Sequence, residues 1–259
     1  MQDLVIAIVQ TSLTWEDIKA NLSAFDSKLS PLADRTDLII LPEMFTTGFT
    51  MNAAGFAEPV DGPSVEWLRK KSALFNVDIT GSLIIREEGL YYNRLFWAKP
   101  NGELFHYDKR HLFRMAGEDD VYAAGKQNIT VEVKGWKVRP LICYDLRFPV
   151  WSRNKGGAEY DLLLFVANWP KRRTEHWKAL LTARAIENQA YVAGVNRIGR
   201  DGNDIPYSGD SMIVDPLGKV LADLRGKDVV HTERLSGAIM ENFREKFPAW
   251  KDGDQFEIM

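Results

Sequence analysis

Short apolar runs alternate along this chain with amphipathic stretches, and that alternation limits its fold more than any other feature. Leu4 to Val9 is rich in β-branched residues and reads as a buried strand. Thr14-Trp15-Glu16-Asp17 matches a capping-box pattern, and Ile18, Leu22, Phe25 and Leu29 follow at helical spacing up to Pro31. Asp37 to Leu41 is a second buried strand. Strand, helix and strand at this spacing make a βα unit, which favours an α/β fold with helices covering a sheet.

The pattern continues. Pro63 to Asn76 reads as a helix with Val65, Leu68 and Phe75 inward. Val77 to Ile85, Tyr91 to Ala98 and Glu103 to Tyr107 form a meander, joined by turns at Glu87-Glu88-Gly89 and Pro100-Asn101-Gly102. Ile129 to Val133 and Trp136 to Cys143 form the next hairpin, where Pro140 marks a bulge or an edge position. A short helix near Pro149 to Asn154 and a strand from Asp161 to Ala167 follow. Thr174 is expected to cap a helix reaching about Asn188, with Trp177, Leu180, Leu181 and Ala185 inward. Strands are expected at Tyr191 to Arg197, Ser211 to Val214 and Val220 to Leu224. A last helix starts near Ser236, with Ile239, Phe243 and Phe247 on its core face. With no repeat, linker or low-complexity tract, residues 1–259 read as a single domain. Its tail, 248–259, lacks a core face and is expected to pack on the domain or on a second subunit.

Net charge is −3, with no basic stretch of the kind nucleic acid requires. The single cysteine, Cys143, excludes an intrachain disulfide and any multi-cysteine metal site, and suits a reducing, cytoplasmic compartment. The four histidines show no paired-ligand spacing, so no metal signature is read, and there is no GxGxxG or P-loop, so no nucleotide is implied. The longest uncharged stretch, Met44 to Ala57, is too short and polar to span a bilayer, and the N-terminal MQDLVIAIVQ has no basic leader region.

Three chemically complementary residues fall just past strand ends: Glu43, Lys109 and Cys143. Loop glutamates are mostly solvated, charge runs such as Asp108 to Arg110 are mostly turns, and lone cysteines are mostly small buried hydrophobes. The C-terminal edge of strands in layered α/β folds is, however, where sites are built. A carboxylate in apolar surroundings can act as a base near neutral pH. An ammonium beside a thiol favours the thiolate and can stabilise an oxyanion. Together they suit acyl transfer through a thioester. Cysteine hydrolases more often use histidine as base, and His176 is the best such candidate in a papain-like reading.

The segments carrying these residues resemble the catalytic segments of the nitrilase superfamily of carbon–nitrogen hydrolases. They are Leu41-Pro42-Glu43, Tyr107-Asp108-Lys109 with His111-Leu112, and Cys143-Tyr144-Asp145-Leu146-Arg147-Phe148-Pro149. The likeness continues through Arg184-Ala185-Ile186-Glu187-Asn188 to Asn196-Arg197, in order and across nearly the whole chain. The resemblance implies a four-layer α-β-β-α sandwich of the nitrilase type, no cofactor, and a homodimer or larger homo-oligomer. It implies Glu43 as general base, Lys109 as oxyanion stabiliser, Cys143 as nucleophile, Glu118 as support for the lysine, and the Tyr144 N–H as second oxyanion donor.

Cys-Tyr-Asp in place of Cys-Trp-Glu looks like the amidase branches. The run from Tyr144 to Asn154, with Asn168-Trp169-Pro170 and Lys246-Phe247-Pro248-Ala249-Trp250, is similar to bacterial omega-amidases. These cleave the terminal amide of 2-oxo-dicarboxylate monoamides such as 2-oxoglutaramate and 2-oxosuccinamate. Many relatives carry Glu after Arg-Phe-Pro, where this chain has Val150. An anionic substrate needs a cation, and Arg147, Arg172 and Arg173 are the candidates. A related amidase for deaminated glutathione or a carbamoyl compound would keep the same three reactive residues. A non-catalytic binding protein on this fold would have no need of them.

Overall fold

A computed structural model describes every residue except Asp34, Ala158 and Met259. The chain first lays down β1 (Leu4–Gln10), α1 (Ile18–Leu29), β2 (Leu38–Ile40), α2 (Pro63–Phe75), β3 (Asp78–Glu87), β4 (Leu90–Ala98) and β5 (Leu104–Asp108). It then forms β6 (Val131–Val133), β7 (Trp136–Ile142), β8 (Leu162–Ala167), α3 (Thr174–Asn188) and β9 (Tyr191–Asn196). A ribbon of β10 (Ile198–Arg200) and β11 (Pro206–Ser208) precedes β12 (Met212–Val214) and β13 (Val220–Asp223). Finally β14 (Val229–Leu235) returns to the first sheet, and α4 (Gly237–Lys246) closes the fold.

The two large sheets run β14-β1-β2-β3-β4-β5 and β13-β12-β9-β8-β7-β6, both mixed. In each, three consecutive strands pair in parallel: β1, β2 and β3 in one, and β7, β8 and β9 in the other. The twofold alternation of strands sorts the layers. Leu4, Ile6, Ile8, Leu38 and Ile40 face the second sheet, joining Val138, Leu162 and Tyr191 in the central core. Ala7, Val9, Ile39 and Leu41 face outward, under Phe25 and Leu29 of α1 and Val65, Leu68 and Phe75 of α2. On the other side Trp177, Leu181 and Ala185 of α3 cover the second sheet. The α-β-β-α sandwich is therefore present, with both sheets buried on two faces, which is why most strands read as continuous apolar runs.

Several local expectations need correction. The N-cap of α1 is Asp17, whose carboxylate accepts from the Ala20 N–H at 2.9 Å, so Thr14 does not start the helix. Thr174 begins α3 without capping it, and its hydroxyl pairs with Ser208 at 2.8 Å instead. In α4 the buried side chain is Met240, whereas Ile239 and Phe247 are exposed. Pro140 sits in regular register with Leu164, with no bulge. The β6 strand pairs only up to Val138, so Pro140 occupies a local edge that lacks a partner for the missing N–H. Beyond α4 the tail lies against the fold: Trp250 N–H donates to Gln189, and Lys155 donates to the Phe256 carbonyl at 2.9 Å. Among the described residues no helix is long and apolar enough to cross a membrane.

Candidate active site

The site forms where strands from both sheets stop side by side. After β2 the chain runs through Leu41-Pro42 to Glu43, and Met44 turns it with φ +44° while donating its N–H to the Ser82 hydroxyl at 2.8 Å. After β5, Lys109 is held by its N–H on the Asn93 carbonyl of β4, at 3.0 Å. After β7, Cys143 itself adopts φ +43°, which non-glycine residues rarely do, and opens a single 3-10 turn, Cys143–Arg147. After β8 comes Asn168. The two sheets thus bring Glu43, Lys109 and Cys143 together.

Glu43 and Glu118 are fully buried and Lys109 is 1% exposed. The Lys109 ammonium donates to Glu43 Oε1 and to both oxygens of Glu118, each at 2.9 Å. Glu118 also takes the Phe113 N–H, at 2.5 Å. Burial opposes a charge on Lys109, but the Glu118 and Glu43 carboxylates outweigh it and hold the ammonium above the ordinary lysine range. Burial pushes the Glu118 carboxyl up, against the pull of Lys109. Glu43 does not sit in apolar surroundings, contrary to the sequence expectation. Besides Lys109, its Oε1 accepts from Asn93 Nδ2 at 2.8 Å, and its Oε2 accepts the Asn168 N–H at 2.7 Å.

The thiol environment also differs from expectation. Loss of water around the sulfur, then the Glu43 charge, push Cys143 well above the ordinary thiol range, and Lys109 only partly offsets them. The resting group is therefore a thiol, its Sγ 4.0 Å from the Asn168 carbonyl with the Glu43 charge nearby, and nucleophilic attack requires removal of its proton. Tyr144 is the second residue of the turn that Cys143 opens, where a backbone N–H has no partner inside the helix.

Cys143, Lys109 and Asn168 form one wall of a cavity of about 580 Å³. Arg147, Arg172 and Arg173 line it as well. Arg147 stacks over Trp169 at 4.7 Å and Arg173 over Phe113 at 5.1 Å. Among the described residues no carboxylate pairs with any of the three. Burial and the adjacent Arg172 and Arg147 pull Arg173 downward, as expected of crowded cations. Glu16 and Asp201 lie on the same cavity, but the Thr50 hydroxyl and the Tyr207 phenol occupy them. Among the described residues no histidine lines the cavity. His176 instead meets Arg147 at 3.1 Å in an exposed contact, which removes the papain-like reading.

Sequence reasoning missed the residues that fasten this arrangement. Asp145 is fully buried and accepts the Ile142 N–H at 3.0 Å, the Tyr107 phenol at 2.7 Å and the His111 N–H at 3.0 Å. It therefore ties the strand end that delivers Cys143 to the one that delivers Lys109. Arg184 of α3 reaches the Leu146 carbonyl at 2.7 Å and holds the same turn from behind. Asn93 and Asn168 hold Glu43. The one available signal was position: Asp145 lies two residues past the cysteine and Asn168 just past a strand.

Comparison with known proteins identifies the family. The carbon–nitrogen hydrolase family model matches residues 5–231. The chain belongs to that family and is an amide-hydrolysing enzyme of the nitrilase superfamily. It is 49% identical to the omega-amidase YafV of Escherichia coli K12, over the full length of both. It is 32% identical to the 2-oxoglutaramate amidase of Bacillus subtilis 168, covering 95% of this chain and 96% of that protein. Among solved structures it resembles XC1258 of Xanthomonas campestris, a CN-hydrolase superfamily protein with an arsenic adduct in the active site. The TM-score there is 0.98 at 48% identity, with both chains fully covered.

Proposed function

We propose that this enzyme is an omega-amidase that releases ammonia from 2-oxo-dicarboxylate monoamides such as 2-oxoglutaramate and 2-oxosuccinamate. The observation that carries the reading is the set of three arginines lining the thiol cavity with no carboxylate partner among the described residues. A guanidinium matches a substrate carboxylate in geometry and charge. The names of the full-length relatives point the same way.

In the proposed mechanism Glu43 takes the proton from Cys143, and the thiolate attacks the amide carbon. Lys109 gives one N–H to Glu43 and shares one between the two oxygens of Glu118, so that the third serves the tetrahedral oxyanion, with the Tyr144 N–H as second donor. Glu43 passes its proton to the nitrogen, ammonia leaves, and a thioester remains. Water, activated by Glu43, then releases the 2-oxo acid and restores the thiol. Arg147, Arg172 and Arg173 bind the distal carboxylate. We further assign residues 1–259 to one hydrolase domain, acting as a homodimer or larger assembly in the cytoplasm. A free thiol suits that compartment, and the exposed Val150, Ile258 and Phe247 suit a subunit contact.

A cavity of about 580 Å³ leaves room beyond a five-carbon amide, which favours a longer amide such as deaminated glutathione as the second reading. The test is ammonia release by purified protein from 2-oxoglutaramate, with glutamine, asparagine, deaminated glutathione and a simple nitrile as comparators. Fast release from the 2-oxo amide alone, absent in Cys143→Ala, is the expected result. Preference for another amide would overturn the substrate assignment and leave the mechanism standing.

A further inference from the structure

We infer that Asn93 decides which oxygen of Glu43 carries the proton through the reaction, which makes it a positioning residue for catalysis. The inference rests on the reading of Glu43 as the base. Asn93 lies in β4 with its side chain fully buried. Its Nδ2 donates to Glu43 Oε1 at 2.8 Å and to Glu118 Oε1 at 3.3 Å, and its backbone carbonyl receives the Lys109 N–H. One residue thus touches all three charged groups of the cluster.

A carboxylate oxygen offers two lone-pair directions. On Glu43 Oε1 both are filled, one by Lys109 and one by Asn93. On Oε2 only one short bond is present, from the Asn168 N–H at 2.7 Å. The Asn168 side-chain amide lies 3.5 Å from Oε2 and has its better partner, the Glu43 carbonyl, at 2.7 Å. Oε2 therefore keeps the open lone pair and is the oxygen left to take the thiol proton. The cycle then balances on one atom. The Sγ proton moves to Oε2 and on to the nitrogen as the C–N bond breaks. A water proton next moves to Oε2 and returns to sulfur as the thioester cleaves.

The orientation of the Asn93 amide is fixed by its neighbours, because reversal would aim its oxygen at two carboxylates. Its Oδ1 is left buried without a donor. That is a cost which packing alone does not explain and which a position held for electrostatics does. The charged or titratable groups facing Glu43 are Lys109, Glu118, Cys143 and Tyr122. Beside them stand two neutral donors, Asn93 on Oε1 and the Asn168 N–H on Oε2.

The test compares the parent with Asn93→Ala, Asn93→Asp and Glu43→Gln. The rate of Cys143 alkylation by iodoacetamide is followed across pH, together with kcat and KM for 2-oxoglutaramate and the melting temperature. Removing a donor makes a carboxylate bind its proton more tightly. In Asn93→Ala the acid limb of both profiles should therefore move up by about one pH unit. Its kcat should fall by about 10-fold or more at nearly constant KM. Asn93→Asp keeps the size but donates only when protonated, so its activity relative to the parent should rise as pH falls. A folded Asn93→Ala with parental profiles and kcat, beside an inactive Glu43→Gln, would overturn the role of Asn93 alone. A Glu43→Gln that alkylates and turns over like the parent would overturn the base assignment itself. Alkylation needs no amide, so the two outcomes can be told apart even if the substrate is wrongly named.

Discussion

The two sheets share one pairing pattern and do different work with it. From β14 the first sheet runs antiparallel, parallel, parallel, antiparallel, antiparallel, and from β6 the second runs the same way. In this match β2 corresponds to β8, so Glu43 and Asn168 occupy equivalent ends and meet, backbone N–H to carboxylate. The first sheet uses its ends to build a buried cluster: Glu43 and Lys109, joined by Glu118, each 0–1% exposed, with both carboxylates hydrogen-bonded to the ammonium that borders the cavity. The second delivers a thiol to an open cavity ringed by arginines that no carboxylate among the described residues neutralises. On the proposed reading, charge is buried where it must be fixed in geometry, and left half-solvated where a ligand is to supply the counter-charge.

Mutations on the two sides should then differ in kind. The largest effect is Cys143→Ala, expected to cut turnover by about 10⁴-fold or more while the denaturant midpoint stays near that of the parent. Lys109→Met should lose activity too, but here stability should fall by about 3–5 kcal/mol, because two buried carboxylates lose their cation. Equal stability loss in both variants, measured by urea titration, would break the distinction between the sheets. Arg173→Ala should raise KM for 2-oxoglutaramate by about 10- to 100-fold with a much smaller change in kcat. An unchanged KM in steady-state assays would remove that residue from carboxylate binding.

The smallest effect tests buried charge away from the site. Desolvation raises Asp78 from its ordinary value near 3.8 to about 6, partly offset by the Trp97 indole, which donates to it at 2.7 Å. Its folded-state pKa lies above the unfolded one, so its contribution to stability falls as pH rises from about 4 through 6. Asp78→Asn keeps an acceptor for Trp97 and should stabilise the protein by about 1–2 kcal/mol more at pH 8 than at pH 4.5, allowing for partial solvent access. Thermal melts at the two pH values decide it.

Much of this was legible in sequence because both sheets are covered on two faces. Buried strands such as Leu162–Ala167 are uninterrupted apolar runs, and Pro63 announces α2. The strand Val229–Leu235 was not legible: polar side chains fall on both its faces, His231 and Glu233 alternating with Thr232 and Arg234, and only pairing with β1 makes it a strand. The β10–β11 ribbon, set in an Asp/Gly-rich loop, escaped for the same reason. In the site, the three reactive residues stood out by ending strands. Their electrostatics did not, since they depend on partners 50 and 125 residues away, Asn93 and Asn168 on Glu43. The thiol is raised rather than lowered because burial and the Glu43 charge together outweigh the lysine.

The most direct test of this division of labour is the ratio of kcat/KM for 2-oxoglutaramate over butyramide, an amide with no carboxylate, in the parent and in Arg173→Ala and Arg147→Ala. A strong preference for the charged amide is expected in the parent. That preference should collapse in at least one variant while butyramide hydrolysis stays at its parental rate. A preference that survives in both variants, or a butyramide rate that falls in step with it, would contradict the assignment of chemistry to the buried cluster and of recognition to the arginines.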